Sequence, residues 1–124
     1  MREEINNWLK QANKDFDVAE KNFQIDEYYS ATFWCQQSIE KGLKAVILMR
    51  TKEKPLGHSL VQLGKLARVP DDFISKLKKL SPQYFLSRYP DASEDVPFEL
   101  YDKKIAKEFL DIGREILIWI NNQF

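Results

Sequence analysis

The feature that most constrains the fold is the helical spacing of apolar residues over the first part of the chain. No glycine or proline occurs between Glu3 and Phe23. Apolar residues recur there at steps of three and four: Ile5, Trp8, Leu9, Ala12, Phe16, Ala19 and Phe23. This spacing predicts an amphipathic helix over 3–23. Glu3 and Glu4 lie in its first turn, where acidic side chains complement the helix dipole.

A second helix is predicted to begin after Asp26, as its N-cap, and to run to about Arg50. One broad face of this helix consists of Tyr28, Ala31, Thr32, Cys35, Ile39, Leu43, Val46 and Met49. Gly42 lies on the same face. Because a glycine inside a helix costs about 1 kcal/mol relative to alanine, we expect another helix to approach closely at this position.

Breaker residues divide the following stretch into shorter elements. Thr51–Gly57 is predicted to be a loop, followed by a helix over 59–67. The residues of this third helix expected to face inward are Leu60, Leu63, Leu66 and Ala67. A fourth helix is predicted to open at Pro70, and Pro82 is expected to kink or break it, since proline clashes with the preceding turn. Its expected buried residues are Phe73, Ile74, Leu77 and Leu80.

The C-terminal part contains one more long helical pattern. Arg88–Pro97 is interpreted as an exposed loop, and a last helix is predicted from about Glu99 to Asn122. Its apolar stripe is Ile105, Phe109, Ile112, Ile116, Trp119 and Ile120. No segment alternates with period two, so no strand is predicted. We therefore predict an all-α protein, a single domain over 1–124 that forms an up-and-down antiparallel bundle of about five helices.

Charge and cysteine content narrow the classes of function. Lys plus Arg equals Asp plus Glu, 19 of each, so the chain lacks the basic excess typical of nucleic-acid-binding domains. Cys35, the only cysteine, stands among apolar residues and is predicted to be a buried hydrophobic side chain rather than a nucleophile. The N-terminus is polar and no apolar run reaches membrane-spanning length. These features predict a cytoplasmic protein without a membrane role.

The polar side of the second helix is the segment most informative about function. Projection around the helix axis gathers five side chains in a sector of roughly 140°; this polar strip consists of Gln36, Gln37, Glu40, Lys41 and Lys44. A solvated face held by i,i+4 pairs is one interpretation. Apolar residues one turn above and below favour burial against a second subunit instead. Tyr29, Phe33 and Ile47 are then predicted to lie in a dimer interface.

Several motifs together resemble a known family. The first are Trp8 with Ala12, Asp15 and Ala19, then Tyr29-Ser30-Ala31, and then the run from Gln36-Gln37-Ser38-Ile39-Glu40 to Lys41-Gly42-Leu43-Lys44-Ala45. Two later elements are Gly57-His58-Ser59-Leu60 with Leu63, and Arg88-Tyr89-Pro90-Asp91. In this order and over nearly the whole chain, the motifs resemble the HEPN family, the higher eukaryotes and prokaryotes nucleotide-binding domain.

The resemblance implies a homodimeric helical bundle that binds a nucleotide, with an ATP-like molecule as the expected ligand. It also implies a protein partner. Short stand-alone members of the family are often encoded beside a minimal nucleotidyltransferase and form a complex with it, as a toxin–antitoxin-like pair. The alternative implied by other branches is a metal-independent RNA endonuclease toxin, which here would need a non-standard site.

RNA cleavage is disfavoured because the chain departs from the motif of the ribonuclease branches, an Arg followed after four to six residues by His. The only histidine, His58, is separated from Arg50 by a stretch that contains Pro55 and Gly57, and no histidine follows Arg88. We therefore assign no catalytic residue, and RNA is a disfavoured ligand. A single histidine does not form a metal-binding cluster, and the sequence contains no Gly-rich phosphate-binding loop. Neither a metal nor a cofactor is predicted, and His58 is expected to cap or pack.

Two interpretations of the Arg88–Asp91 motif remain open. In the structural one, Arg88 pairs with a carboxylate, Glu40 being a candidate, while Tyr89 packs on the bundle. In the functional one, Arg88 holds a phosphate together with a lysine of the polar strip, and Tyr84 or Tyr89 stacks on a base. The candidate nucleotide- or phosphate-binding residues are Lys41, Lys44, Arg88 and Tyr89. The candidates for a polar site or interface are Gln36, Gln37, Glu40 and Asp91.

Overall fold

Two long helices joined by a short turn form the frame of the structure. In the computed structural model, which describes residues 1–124, α1 spans Arg2–Gln24 and α2 spans Tyr28–Thr51. These two helices make the most extensive packing in the chain. The last helix, α7 (Lys103–Asn121), lies against both of them. The three long helices form the core of a bundle with no strand, as the apolar spacing predicts.

Shorter helices complete the bundle and cover α2. Helix α3 (Leu60–Ala67) packs on α2, and α4 (Asp71–Leu80) packs on α3 and α7. The connection from α4 to α7 contains two single-turn helices, α5 (Gln83–Leu86) and α6 (Pro90–Ser93), and a 3-10 turn at Pro97–Leu100. Both α5 and the 3-10 turn contact α2. The all-α bundle is confirmed, with five longer helices and these additional turns.

Two helix starts differ from the sequence-based expectation. Asp26 is not the N-cap of α2, because its backbone is left-handed with φ of 65° and its carboxylate accepts a hydrogen bond from the Tyr28 hydroxyl at 2.8 Å. Helix α7 begins at Lys103 rather than Glu99. There Asp102 is the N-cap, since its side chain accepts the Ile105 N–H at 2.8 Å.

The core lies between α2 and the helices around it. Its fully buried side chains include Ile39, Leu43, Leu60, Leu77, Ile116 and Ile120. The expected close approach at Gly42 is confirmed, because a Cβ there would lie 2.8 Å from Ile120 Cδ1. Cys35 is fully buried and its thiol donates to the Phe109 carbonyl at 3.4 Å. Burial raises the pKa of this thiol to about 12, so it is a neutral core group, as predicted.

Two residues assigned to buried stripes are exposed. Leu66 is 56% exposed because the inner face of α3 runs through Gly64, which the Leu77 side chain contacts. Ile105 is also exposed. The buried face of α7 is rotated from the predicted stripe and consists of Ala106, Leu110, Gly113, Ile116, Leu117 and Ile120.

Candidate functional site

The polar strip of α2 is turned into the protein. Gln36 is 0%, Glu40 4% and Lys44 8% exposed within the single chain. On one side Lys44 lies over the Trp8 ring of α1, with its Nζ 5.8 Å from the ring centroid. On the other side His58 covers the strip. Gln36, Glu40 and Lys44 are therefore covered by their own chain, so they do not form a solvated face and their burial requires no second subunit.

Glu40 is the centre of a buried polar network. Its carboxylate accepts from Lys44 Nζ at 3.1 Å and from His58 Nδ1 at 3.0 and 3.1 Å. The Nε2 atom of Gln36 lies 3.5 Å from Glu40 Oε1, and Gln37 donates a hydrogen bond to Gln36 Oε1 at 2.8 Å. A buried carboxylate needs such partners, since an uncompensated buried charge is costly. Because a carboxylate only accepts, the hydrogen of the imidazole lies on Nδ1 in this contact.

Lys41 has an internal partner of its own. Its ammonium contacts the carboxylate of Asp15 on α1, whose side chain is only 3% exposed. Gln11 donates to the other oxygen of that carboxylate at 2.9 Å. Both lysines of the polar strip are thus paired with carboxylates inside the chain. Lys41 and Lys44, predicted to hold phosphate, consequently have their charge offset in this structure.

His58 lies in a stack of aromatic rings. Its imidazole is parallel to the Tyr84 ring, with centroids 4.1 Å apart and an interplanar angle of 13°. Phe33 and Phe85 pack around the same tyrosine, at 6.2 and 4.8 Å between centroids. The capping role considered for His58 belongs to Ser59, whose hydroxyl accepts the Gln62 N–H. His58 instead connects the loop before α3 to Glu40.

An open pocket of about 670 Å³ lies beside this stack. Its lining residues are His58, Pro82, Tyr84, Phe85, Leu86, Tyr89, Asp91 and Ala92. Most of this lining is apolar or aromatic, and Asp91 is its only carboxylate. The volume falls in the range of small-molecule sites, which usually combine apolar walls with a few polar groups.

Arg88 stands at the margin of this pocket. Its guanidinium carbon is 4.6 Å from the centroid of the Phe33 ring and 5.3 Å from that of Tyr89, which lines the pocket. It forms none of the salt bridges of the chain. The expected pairing of Arg88 with Glu40 is wrong, because Lys44 and His58 occupy that carboxylate. The Arg88 guanidinium thus packs on the faces of the Phe33 and Tyr89 rings, and no carboxylate of the chain offsets its positive charge.

The three residues predicted for a dimer interface lie in different environments. Tyr29 is 38% exposed and packs edge-on against Phe98, which is 60% exposed. Phe33 is partly buried below Arg88. Ile47 is 3% exposed and belongs to the hydrophobic core, so a place in a surface interface is not compatible with its burial.

The sequence does not reveal the link between Glu40 and His58. The two residues are 18 positions apart and belong to different elements, and the signal that could have suggested their contact is that each lies in a motif of the same family resemblance. Phe85 and Phe98 were also missed, because they lie in turns without periodicity.

No three side chains of metal-binding type converge anywhere in the chain. None of the helices combines the length and apolar character that crossing a membrane requires.

The chain is similar in sequence and in structure to known proteins. The family model described as HEPN domain matches residues 5–123. The structure is similar to the crystal structure of TT1696 from Thermus thermophilus, with 31% sequence identity, a TM-score of 0.87, and coverage of 97% of this chain and 98% of that one. It is also similar to ST0689, an archaeal HEPN homologue, with 33% identity, a TM-score of 0.82 and 96% of each chain covered. A search of curated proteins found no match.

Proposed function

The chain belongs to the HEPN family, and from this premise we propose that it is a nucleotide-binding interaction module. In this proposal it forms a homodimer and pairs with a separate minimal nucleotidyltransferase, in the manner of a toxin–antitoxin pair. The observation that carries the nucleotide part is an arginine without a carboxylate partner, Arg88, at the margin of an aromatic pocket.

The phosphate of the ligand is assigned to Arg88. A guanidinium can hold phosphate oxygens through two parallel hydrogen bonds, which makes arginine effective in phosphate recognition. Lys41 and Lys44 would first have to leave Asp15 and Glu40, and separating a buried pair is costly. We therefore assign the nucleotide site to the pocket that His58 and Asp91 line, rather than to the polar strip.

The polar strip then has a supporting role. Glu40 fixes His58, which forms one wall of the pocket, while Lys44 and Gln36 hold Glu40. This network fixes one wall of the pocket, while the charged groups of Glu40 and Lys44 stay buried. A site whose side chains are already in place loses less conformational entropy when the ligand binds.

Calorimetric titration with ATP tests the nucleotide proposal. We expect saturable binding with a dissociation constant in the range of about 1 µM to 1 mM, since one charged contact and one stacked ring supply a modest free energy. Tripolyphosphate, which lacks the base and ribose, is the matched ligand control and should bind more weakly. Absence of heat at millimolar ATP would remove the nucleotide part of the proposal and leave the interaction role.

The homodimer is proposed to use the exposed aromatic side chains Tyr29 and Phe98 near the first turns of α2. Light scattering should give about twice the 14.7 kDa mass of the chain. Phe98→Glu should shift this mass toward the monomer, because it places a charge in an apolar contact. Leu56→Glu, at a residue 88% exposed in the loop before α3, is the control and should leave the mass unchanged. A wild-type monomer at tens of micromolar would contradict the proposal.

The nucleotidyltransferase partner rests on the family relationship. Co-expression with the product of the neighbouring gene, followed by purification through a tag on one chain only, is the appropriate test. Recovery of both chains in a fixed ratio would support the pair. Recovery of the tagged chain alone would argue against it.

A further inference from the structure

We propose that the outer face of the His58 ring is the surface on which the base of a purine nucleotide stacks. This inference rests on the proposed nucleotide binding, and it names the residue and the class of base. His58 was expected to have a capping or packing role, and the structure instead places its half-exposed ring in the wall of the pocket.

The other aromatic residues of the pocket are less suited to this role. One face of Tyr84 is covered by His58 itself at 4.1 Å, and the edge-on ring of Phe85 packs on the same tyrosine. Tyr89 carries the Arg88 guanidinium over its ring. The side chain of His58 is 48% exposed although one of its faces is stacked on Tyr84. A planar ligand ring on its outer face would extend the stack from two rings to three.

The orientation of the His58 ring is already determined before a ligand arrives. Nδ1 donates to both oxygens of Glu40, at 3.0 and 3.1 Å. Glu40 is itself 5% exposed in its side chain and held by Lys44. A ring fixed by a stack on one face and a hydrogen bond at one edge loses little freedom on binding. The Phe85 ring lacks such an anchor, because a phenylalanine ring has no hydrogen-bonding atom and its aromatic neighbours Tyr84 and Tyr89 pack edge-on or tilted.

The charges around the pocket determine which end of the nucleotide enters. Asp91 lies in the lining and repels phosphate, whereas Arg88 at the margin attracts it. The neutral base therefore belongs inside, beside His58, with the phosphate outside. Base stacking on protein rings contributes strongly and depends on the stacking strength of the base. Purines, which have the larger ring system, are consequently the favoured class.

The experiment compares AMP with ribose 5-phosphate, which lacks the base, by calorimetry on the full chain. The wild-type protein should bind AMP at least about tenfold more tightly than ribose 5-phosphate, since base stacking of this kind raises the affinity by about one to two orders of magnitude. His58→Asn retains an N–H for Glu40 but removes the ring, and should reduce this ratio to less than about threefold. His58→Phe retains the ring but loses the N–H, and should keep most of the ratio.

Several outcomes would overturn the inference. Equal affinities of wild type for AMP and ribose 5-phosphate would show that the base is not recognised, while still leaving phosphate binding intact. An unchanged ratio in His58→Asn, with a lost ratio in His58→Phe, would make His58 only a hydrogen-bond partner of Glu40. Equal affinities of wild type for AMP and CMP would exclude the purine preference without any variant. Absence of binding by every ligand, ATP included, is instead the failure of the proposed function.

Discussion

Replacing Glu40 by alanine is expected to lower the free energy of unfolding by about 3 kcal/mol, because removing one partner of a buried ion pair leaves the other charge uncompensated. The remaining charge is Lys44, whose side chain is 10% exposed. His58 would also lose the acceptor that anchors its loop to α2. Urea denaturation followed by circular dichroism measures this change, with the slope m as the check that unfolding stays two-state.

Glu20→Ala is the matched control for Glu40→Ala. Glu20 pairs with Arg114 at 3.1 Å, but both side chains are 44% exposed, so the loss should be less than about 1 kcal/mol. The double variant Glu40→Ala with Lys44→Met should recover at least half of the lost stability, because it removes the stranded ammonium. A Glu40→Ala variant as stable as Glu20→Ala would show that Lys44 reaches water and that the polar strip is not buried in solution.

Gly113→Val is expected to destabilise the bundle by about 3 kcal/mol, at the upper end of the range for overpacked cores. Even a Cβ at this position of α7 would overlap the Cys35 sulfur and lie 3.2 Å from the Phe16 ring. Both neighbours are buried, so neither can move aside into solvent. Thermal and urea denaturation measure the loss.

A smaller residue opposite Gly113 should relieve part of this cost. In a Cys35→Ala background, Gly113→Val is expected to cost clearly less than in the wild type, because the two side chains compete for the same space. Cys35→Ala alone supplies the reference. Equal costs in the two backgrounds would mean that the helices α2 and α7 are not in close contact at this point.

The fold follows from the sequence because its main elements are long and periodic. Two stripes at three- and four-residue spacing define α1 and α2, and Gly42 marks the approach of α7 that the structure shows at Ile120. Short elements are a different case. The turns α5 and α6 have four residues each, too few to show a period, and Pro82 before α5 and Pro90 at the start of α6 are interpreted as breaks.

The candidate site was only partly predictable for the same reason. The polar strip and the Arg88–Asp91 motif are both recognisable in the sequence, but what covers each is not. An α2 helix that is apolar on most sides does indicate burial, and Ile47 is indeed buried. The groups that cover the polar strip, however, are Trp8 of α1 and His58 of the loop before α3, both in the same chain. The pairings of Lys41 with Asp15 and of His58 with Glu40 depend on tertiary packing that periodicity does not describe.

The location of the nucleotide site is the central claim, and calorimetric titration of two variants with ATP tests it most directly. Arg88→Ala should weaken binding at least about tenfold, because it removes the charge-assisted contact to phosphate. Lys41→Met, which removes a cation already paired with Asp15, should change the affinity less than about twofold once the variant is shown to be folded. The opposite result, with wild-type affinity in Arg88→Ala and a large loss in Lys41→Met, would return the site to the polar strip and contradict the account.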